Sequence, residues 1–120
     1  MTLDKDKKIL IVGLGLIGGS YAAALSQNDW EVGAIDPDPQ AIAFAEKAGF
    51  IRHGRTEPEA EYVGKFDIVV FALYPHVLLE WLEKYGPWLR DGALATDVTG
   101  VKSGIVEKAQ TLLFPRVEFI

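Results

Sequence analysis

The chain has 120 residues, the size of one domain, and 49% of them are apolar, enough to build a core. A net charge of −5 argues against nucleic acid or an anionic membrane surface as a main partner, and the absence of cysteine excludes a disulfide, a thiolate metal site and a cysteine nucleophile. The apolar runs fall well short of a membrane span, and the charged N-terminus is not followed by a small-residue cleavage pattern, so a cytoplasmic protein is expected. Residues 1–7 read as a mobile tail and residues 8–120 as a single domain without internal repeats.

The first element is an apolar, β-branched run from Lys8 to Val12, suited to a strand buried on both faces. Gly13, Gly15 and Gly18 follow in the spacing G-x-G-x-x-G, and after Gly19 the composition turns to the alanine and leucine of a helix reaching residue 27. Strand, glycine turn and helix form the context in which this spacing binds a dinucleotide. Gly13 turns the chain out of the strand, Gly15 lets the backbone approach a diphosphate, and Gly18 lets the helix sit close to the strand. The amides from Leu16 through Ile17 to Gly19 open the helix and face the phosphates, where the helix dipole favours negative charge, and Ser20 offers a further hydroxyl donor.

A second strand over residues 30–35 ends in Asp36, about 20 residues beyond the glycines, where a carboxylate accepts hydrogen bonds from the adenosine ribose and repels a 2′-phosphate. NAD is therefore expected over NADP. Asp38 and Pro39 start a second helix that stops at Gly49. Phe50–His53 reads as a third strand, and Thr56 with Glu59 as a capping box opening a short acidic helix that ends near Gly64. Glu57, Glu59 and Glu61 read as solvated charge, and no metal site is expected. Residues 67–73 read as a continuous apolar strand ending in Leu73, with Tyr74 and Pro75 following at its C-terminal end. An amphipathic helix then carries Leu78, Trp81, Leu82 and Tyr85 on one face. A fifth strand spans residues 93–98, a helix begins near Thr99, and a sixth strand spans residues 117–120. Strands alternating with helices predict a doubly wound, Rossmann-type parallel sheet of order 3-2-1-4-5-6 with helices on both faces. Its ligand crevice lies at the C-terminal strand ends, where the Gly13–Gly18, Asp36–Asp38, Leu73–His76 and Asp97–Lys102 stretches converge.

The stretches ILIVGLGLIGGSYAAAL, DIVVFALYPHV and GALATDVTGVKSGIVEKA resemble the NAD-binding domain of the prephenate dehydrogenase family, which includes arogenate- and cyclohexadienyl-using relatives. The resemblance runs from about Lys8 to Ile120 and is narrowed by TDVTGVK after the fifth strand. It implies oxidative decarboxylation of prephenate to 4-hydroxyphenylpyruvate on the route to tyrosine, with hydride transfer to NAD+. It also implies a catalytic histidine in an H-P-x-x-G segment beyond the sixth strand, and a helical C-terminal domain that supplies dimer contacts and binds substrate. Neither His53 nor His76 stands in that context, so the chain reads as the cofactor part of such an enzyme, with no catalytic residue of its own. The resemblance places Leu73, Tyr74 and Pro75 beside the nicotinamide-side ribose, and has Asp97 and Lys102 frame the crevice, where they also suit a structural ion pair. Family members often carry Gly-Ser where Thr99-Gly100 stands here. Thr99 is read either as a replacement hydroxyl supporting the histidine or as a helix N-cap. Two other readings stay open: the cofactor domain of a 6-phosphogluconate- or 3-hydroxyisobutyrate-type dehydrogenase, and a free-standing NAD(H)-binding sensor.

Overall fold

The computed structural model describes residues 6–100 and 103–120. Most of the expected N-terminal tail, at residues 1–5, and Lys102 lie outside them. The strands are β1 (Lys8–Val12), β2 (Glu31–Ile35), β3 (Gly54–Arg55), β4 (Ile68–Phe71), β5 (Leu94–Asp97) and β6 (Glu118–Phe119). The helices are α1 (Leu16–Gln27), α2 (Pro39–Ala48), α3 (Ala60–Val63), α4 (Pro75–Tyr85) and α5 (Ser103–Leu113), with a short 3-10 turn at Gly86–Trp88. The strands pair in parallel in the order β3-β2-β1-β4-β5-β6, as the alternation of elements predicts.

Alternation along each strand divides the core into two layers. Leu10 and Val12 of β1 join Val69 and Phe71 of β4 beneath Leu78, Trp81 and Leu82 of α4 and Ala109 and Leu113 of α5. Ile9 and Ile11 point the other way, with Val32, Ala34, Ile68 and Val70, toward Ala22 of α1 and Ile42 and Ala45 of α2. Burying each large aliphatic side chain contributes about 1.5–3 kcal/mol, which is why β4 is wholly apolar and β1 and β2 carry no polar residue after Lys8 and Glu31. The start of α2 follows the sequence expectation: the Asp38 carboxylate accepts from Gln40 N–H at 2.9 Å, Pro39 is the first helical residue, and Gly49 ends the helix at φ 79°.

Two expectations are corrected. The third strand is not Phe50–His53 but Gly54–Arg55, paired with Ala34 and Ile35. Phe50 and Ile51 are held back by the end of α2, both amides donating to Ala45 O, and Ile51 is committed to the core. Regular pairing begins only at Gly54, where a Cβ would stand 2.7 Å from Ile42 Cγ2, so a side chain there would strike the packed face of α2. The capping box at Thr56 and Glu59 does not form either. The helix starts at Ala60, Glu59 makes no side-chain cap, and its carboxylate accepts instead from Arg55 Nε at 3.1 Å.

Tyr62 of α3 lies under β2. Its hydroxyl donates to His53 O at 2.6 Å and accepts from Ala34 N–H at 3.1 Å, and its place is made by Gly33, where any Cβ would run into the hydroxyl and the Phe66 ring. Burial pushes the phenol up to about 12 from its ordinary 10. The folded state therefore holds this proton more tightly than the unfolded chain. The stabilisation is complete below pH 10 and is lost as pH rises through 12, with an upper bound of about 2–3 kcal/mol. Tyr62→Phe is expected to cost about 1–3 kcal/mol near neutral pH by orphaning both partners. It should also flatten that alkaline limb in urea unfolding measured against pH. An alkaline limb of equal slope in both proteins would show that Tyr62 does not cause it.

Candidate cofactor site

β1 ends at the glycine turn. Gly13 takes φ 100°, and a Cβ on it would meet Ala72 O at 2.6 Å, so only glycine fits between the ends of β1 and β4. A Cβ at Gly18 would drive into the Gly13 carbonyl and come within 3.2 Å of Ala72 Cβ, and this closeness seats the start of α1 against the sheet. Gly15 differs, because a Cβ there would have nothing within 4 Å. It is the N-cap of α1, and its carbonyl accepts from Gly19 N–H at 2.8 Å. The N–H groups of Leu16, Ile17 and Gly18 precede the first carbonyl the helix can offer them. Ser20 adds no donor to this group, because its hydroxyl donates back to Leu16 O at 2.8 Å.

From β2, Asp36 reaches across to the same turn. Its Oδ2 accepts from Leu14 N–H at 2.7 Å and its Oδ1 from Asp38 N–H at 2.9 Å. Each carboxylate oxygen keeps acceptor capacity beyond these bonds. From β4, the chain passes Leu73 to Tyr74, which is the N-cap of α4, and Pro75, its first residue. From β5, the Asp97 carboxylate holds Thr99, with Oδ2 accepting from Thr99 N–H at 3.1 Å and Oδ1 lying 2.7 Å from Thr99 Oγ1. Thr99 is not a helix N-cap, since Gly100, the residue after it, takes φ 77° and is not helical.

These loops surround one crevice of about 810 Å³ at the C-terminal ends of the strands, where an open α/β sheet binds its ligands. Gly13, Gly15, Leu16, Ile17, Gly18, Asp36, Leu73, Tyr74, Pro75 and Thr99 all line it. Asp97 does not, and acts from behind Thr99. His76 is exposed on α4, outside the lining. Among the described residues no group of three or more acidic or histidine side chains could hold a metal, and no helix is long and apolar enough to cross a membrane.

The wall also contains residues that sequence reasoning assigned elsewhere. Trp81 and Tyr85 were read from the sequence only as part of the apolar face of an amphipathic helix. Both are packed, in an edge-to-face series running from Phe71 through Trp81 to Tyr85, yet both also border the crevice. Thr56 and Pro58, expected near the start of a helix, form the wall beside β3. The only sequence signal for them was their place after a strand's C-terminal end.

The fold is shared with known proteins. Residues 22–120 match the model of the prephenate dehydrogenase nucleotide-binding domain. The chain belongs to that family. The match takes in β2 through β6, while the glycine turn precedes it and stands on its own geometry. The resemblance read from the residues is thereby borne out. A prephenate dehydrogenase of Lactococcus lactis subsp. cremoris is 37% identical over an alignment taking in 95% of this chain and 32% of that protein. The chain thus spans about a third of that relative. Among solved structures, prephenate dehydrogenase from A. aeolicus, in complex with hydroxyphenyl propionate and NAD+, superposes with a TM-score of 0.80 at 29% identity, over 92% of this chain and 40% of that one. A 3-hydroxyisobutyrate dehydrogenase from Salmonella typhimurium reaches a TM-score of 0.84 at 20% identity, over 95% of this chain and 40% of that one, a likeness of fold alone. The family therefore favours the prephenate dehydrogenase reading over that alternative.

Proposed function

We propose that this family member is the NAD-binding part of an oxidoreductase acting on prephenate or arogenate. The observation that carries the reading is the convergence of the glycine turn, Asp36, the Leu73–Pro75 loop and Thr99 on one crevice. Gly15 leaves open space at its wall where a diphosphate can approach the first amides of α1, and Asp36 stands beside it with acceptor capacity for two ribose hydroxyls. Bound NAD+ would supply the hydride acceptor. The chain's own residues bind and orient it: α1 offers N–H donors to the diphosphate, Asp36 grips the adenosine ribose, and Leu73, Tyr74, Pro75 and Thr99 border the nicotinamide half.

The base for the substrate hydroxyl, the substrate-binding groups and the contacts of a homodimer belong, on this reading, to the larger share of the relatives' length that this chain does not span. Calorimetric titration of the 120-residue chain should therefore give saturable NAD+ binding. Mixing it with NAD+ and prephenate should give no NADH absorbance. NADH formation by the chain unaided would overturn the assignment of the base elsewhere, and failure to bind NAD+ would overturn the reading of the crevice.

A further inference from the structure

The ladder between β4 and β5 closes with Val98 N–H donating to Phe71 O at 3.0 Å. Beyond that rung the two chains separate into the loops that border the half of the crevice away from Asp36. Among the described residues a further contact joins them: Thr99 Oγ1 lies 3.1 Å from Leu73 O and, in the same position, 2.7 Å from Asp97 Oδ1. A hydroxyl carries one proton, and its rotor lies within reach of both acceptors, so it serves Leu73 O and Asp97 Oδ1 in a three-centre bond or by turning between them. The Thr99 backbone is held as well, through its N–H on Asp97 Oδ2. Asp97 therefore aims a side chain that reaches across to the neighbouring loop, although Asp97 itself stays outside the crevice lining.

We propose that Thr99 is a positioning residue for the nicotinamide half of the crevice, fixing the strand-five loop to the Leu73 carbonyl so that both loops present one surface to the ligand. The inference rests on reading the crevice as the NAD site. A doubly wound sheet binds the two mononucleotides of its ligand in separate halves, and Asp36 assigns the adenosine half to the β2 side. Thr99 and Leu73 lie on the other. Their bond therefore bears on the nicotinamide nucleotide and leaves the adenosine diphosphate portion alone. Threonine at this position also differs in kind from a serine one residue later. Gly100 takes φ 77°, a conformation that a serine would adopt only under strain.

The test compares NAD+ with ADP, which lacks the nicotinamide ribose and ring, as ligands of the wild-type chain and of Thr99→Val and Thr99→Ser. The loss of one hydrogen bond of ordinary strength should weaken NAD+ binding by Thr99→Val about five- to tenfold, with ADP affected less than about twofold. Thr99→Ser keeps the hydroxyl and should keep wild-type affinity for both. Thr99 is exposed, so the valine variant should fold, and Thr99→Ala with a melting curve provides a second variant if it does not. Equal weakening of NAD+ and ADP, or none of either, overturns the positioning role and leaves Thr99 as loop structure only. A wild-type chain that binds ADP but not NAD+, or neither, instead fails the underlying reading of the crevice, and the wild-type titrations alone reveal it.

Discussion

NADP+ should bind this chain at least about a hundredfold more weakly than NAD+ in side-by-side calorimetric titrations, and Asp36→Asn should remove most of the difference. A 2′-phosphate brought to the end of β2 would meet the Asp36 carboxylate. At a few ångströms and a surface-like effective dielectric, two such charges repel by several kcal/mol, more than the hundredfold requires. The carboxylate cannot easily swing away, because Leu14 N–H and Asp38 N–H hold its two oxygens. The same bonds give Asp36→Asn a second consequence. An asparagine offers one acceptor oxygen, so either the glycine turn or the start of the α2 segment loses its partner. Since hydrogen bonds to charged groups contribute about 1.5–3 kcal/mol, NAD+ affinity should itself fall by about tenfold or more. NADP+ binding that equals or exceeds NAD+ binding in the wild-type chain would contradict the ribose role of Asp36.

The glycines should separate into one needed for folding and one needed for the ligand. Gly18→Ala places a methyl against the Gly13 carbonyl, which is backbone and cannot turn aside, with Ala72 Cβ 3.2 Å away on the adjoining side. The start of α1 must lift off the sheet, and a loss of about 3 kcal/mol in urea unfolding is expected, together with loss of NAD+ binding. Gly15→Ala meets nothing within 4 Å and sits at φ −67°, which alanine adopts freely. Its stability should stay within about 0.5 kcal/mol of wild type. NAD+ affinity should nevertheless drop by more than about tenfold, because the methyl stands where the diphosphate approaches the amides of α1. If Gly15→Ala bound NAD+ normally, the diphosphate would have to lie elsewhere.

What was readable in the linear chain, and what was not, follows from the range of the interactions. β1, the glycine turn and α1 are consecutive, and each is specified by its own residues: β-branched apolar side chains, glycines of which Gly13 and Gly18 stand where a Cβ has no room, then alanines. Asp38, Pro39 and Gly49 bound α2 through contacts within one helical turn, so its ends were legible as well. The strand order followed from alternation and the handedness of parallel crossovers. The third strand was placed too early because its start depends on Ile42, a residue of the preceding helix whose bulk only Gly54 can pass. Thr56 and Glu59 have the spacing of a cap, but Arg55 stands four residues before the same glutamate and wins it, and spacing alone does not rank the two partners.

Taken alone, the order of residues determined the architecture, the end of the sheet at which the crevice opens, and most of the side chains that meet there. Only the folded chain decided how those side chains are occupied: that Asp36 braces the glycine turn through Leu14, that Ser20 spends its hydroxyl on its own helix, that Trp81 and Tyr85 serve both core and crevice wall, and that Thr99 reaches Leu73. The physical reason is that periodicity reports which face of an element is buried, a property of neighbours in sequence. A hydrogen bond between residues 22 or 26 positions apart depends on how far each strand extends before its loop turns, and packing between elements sets that length.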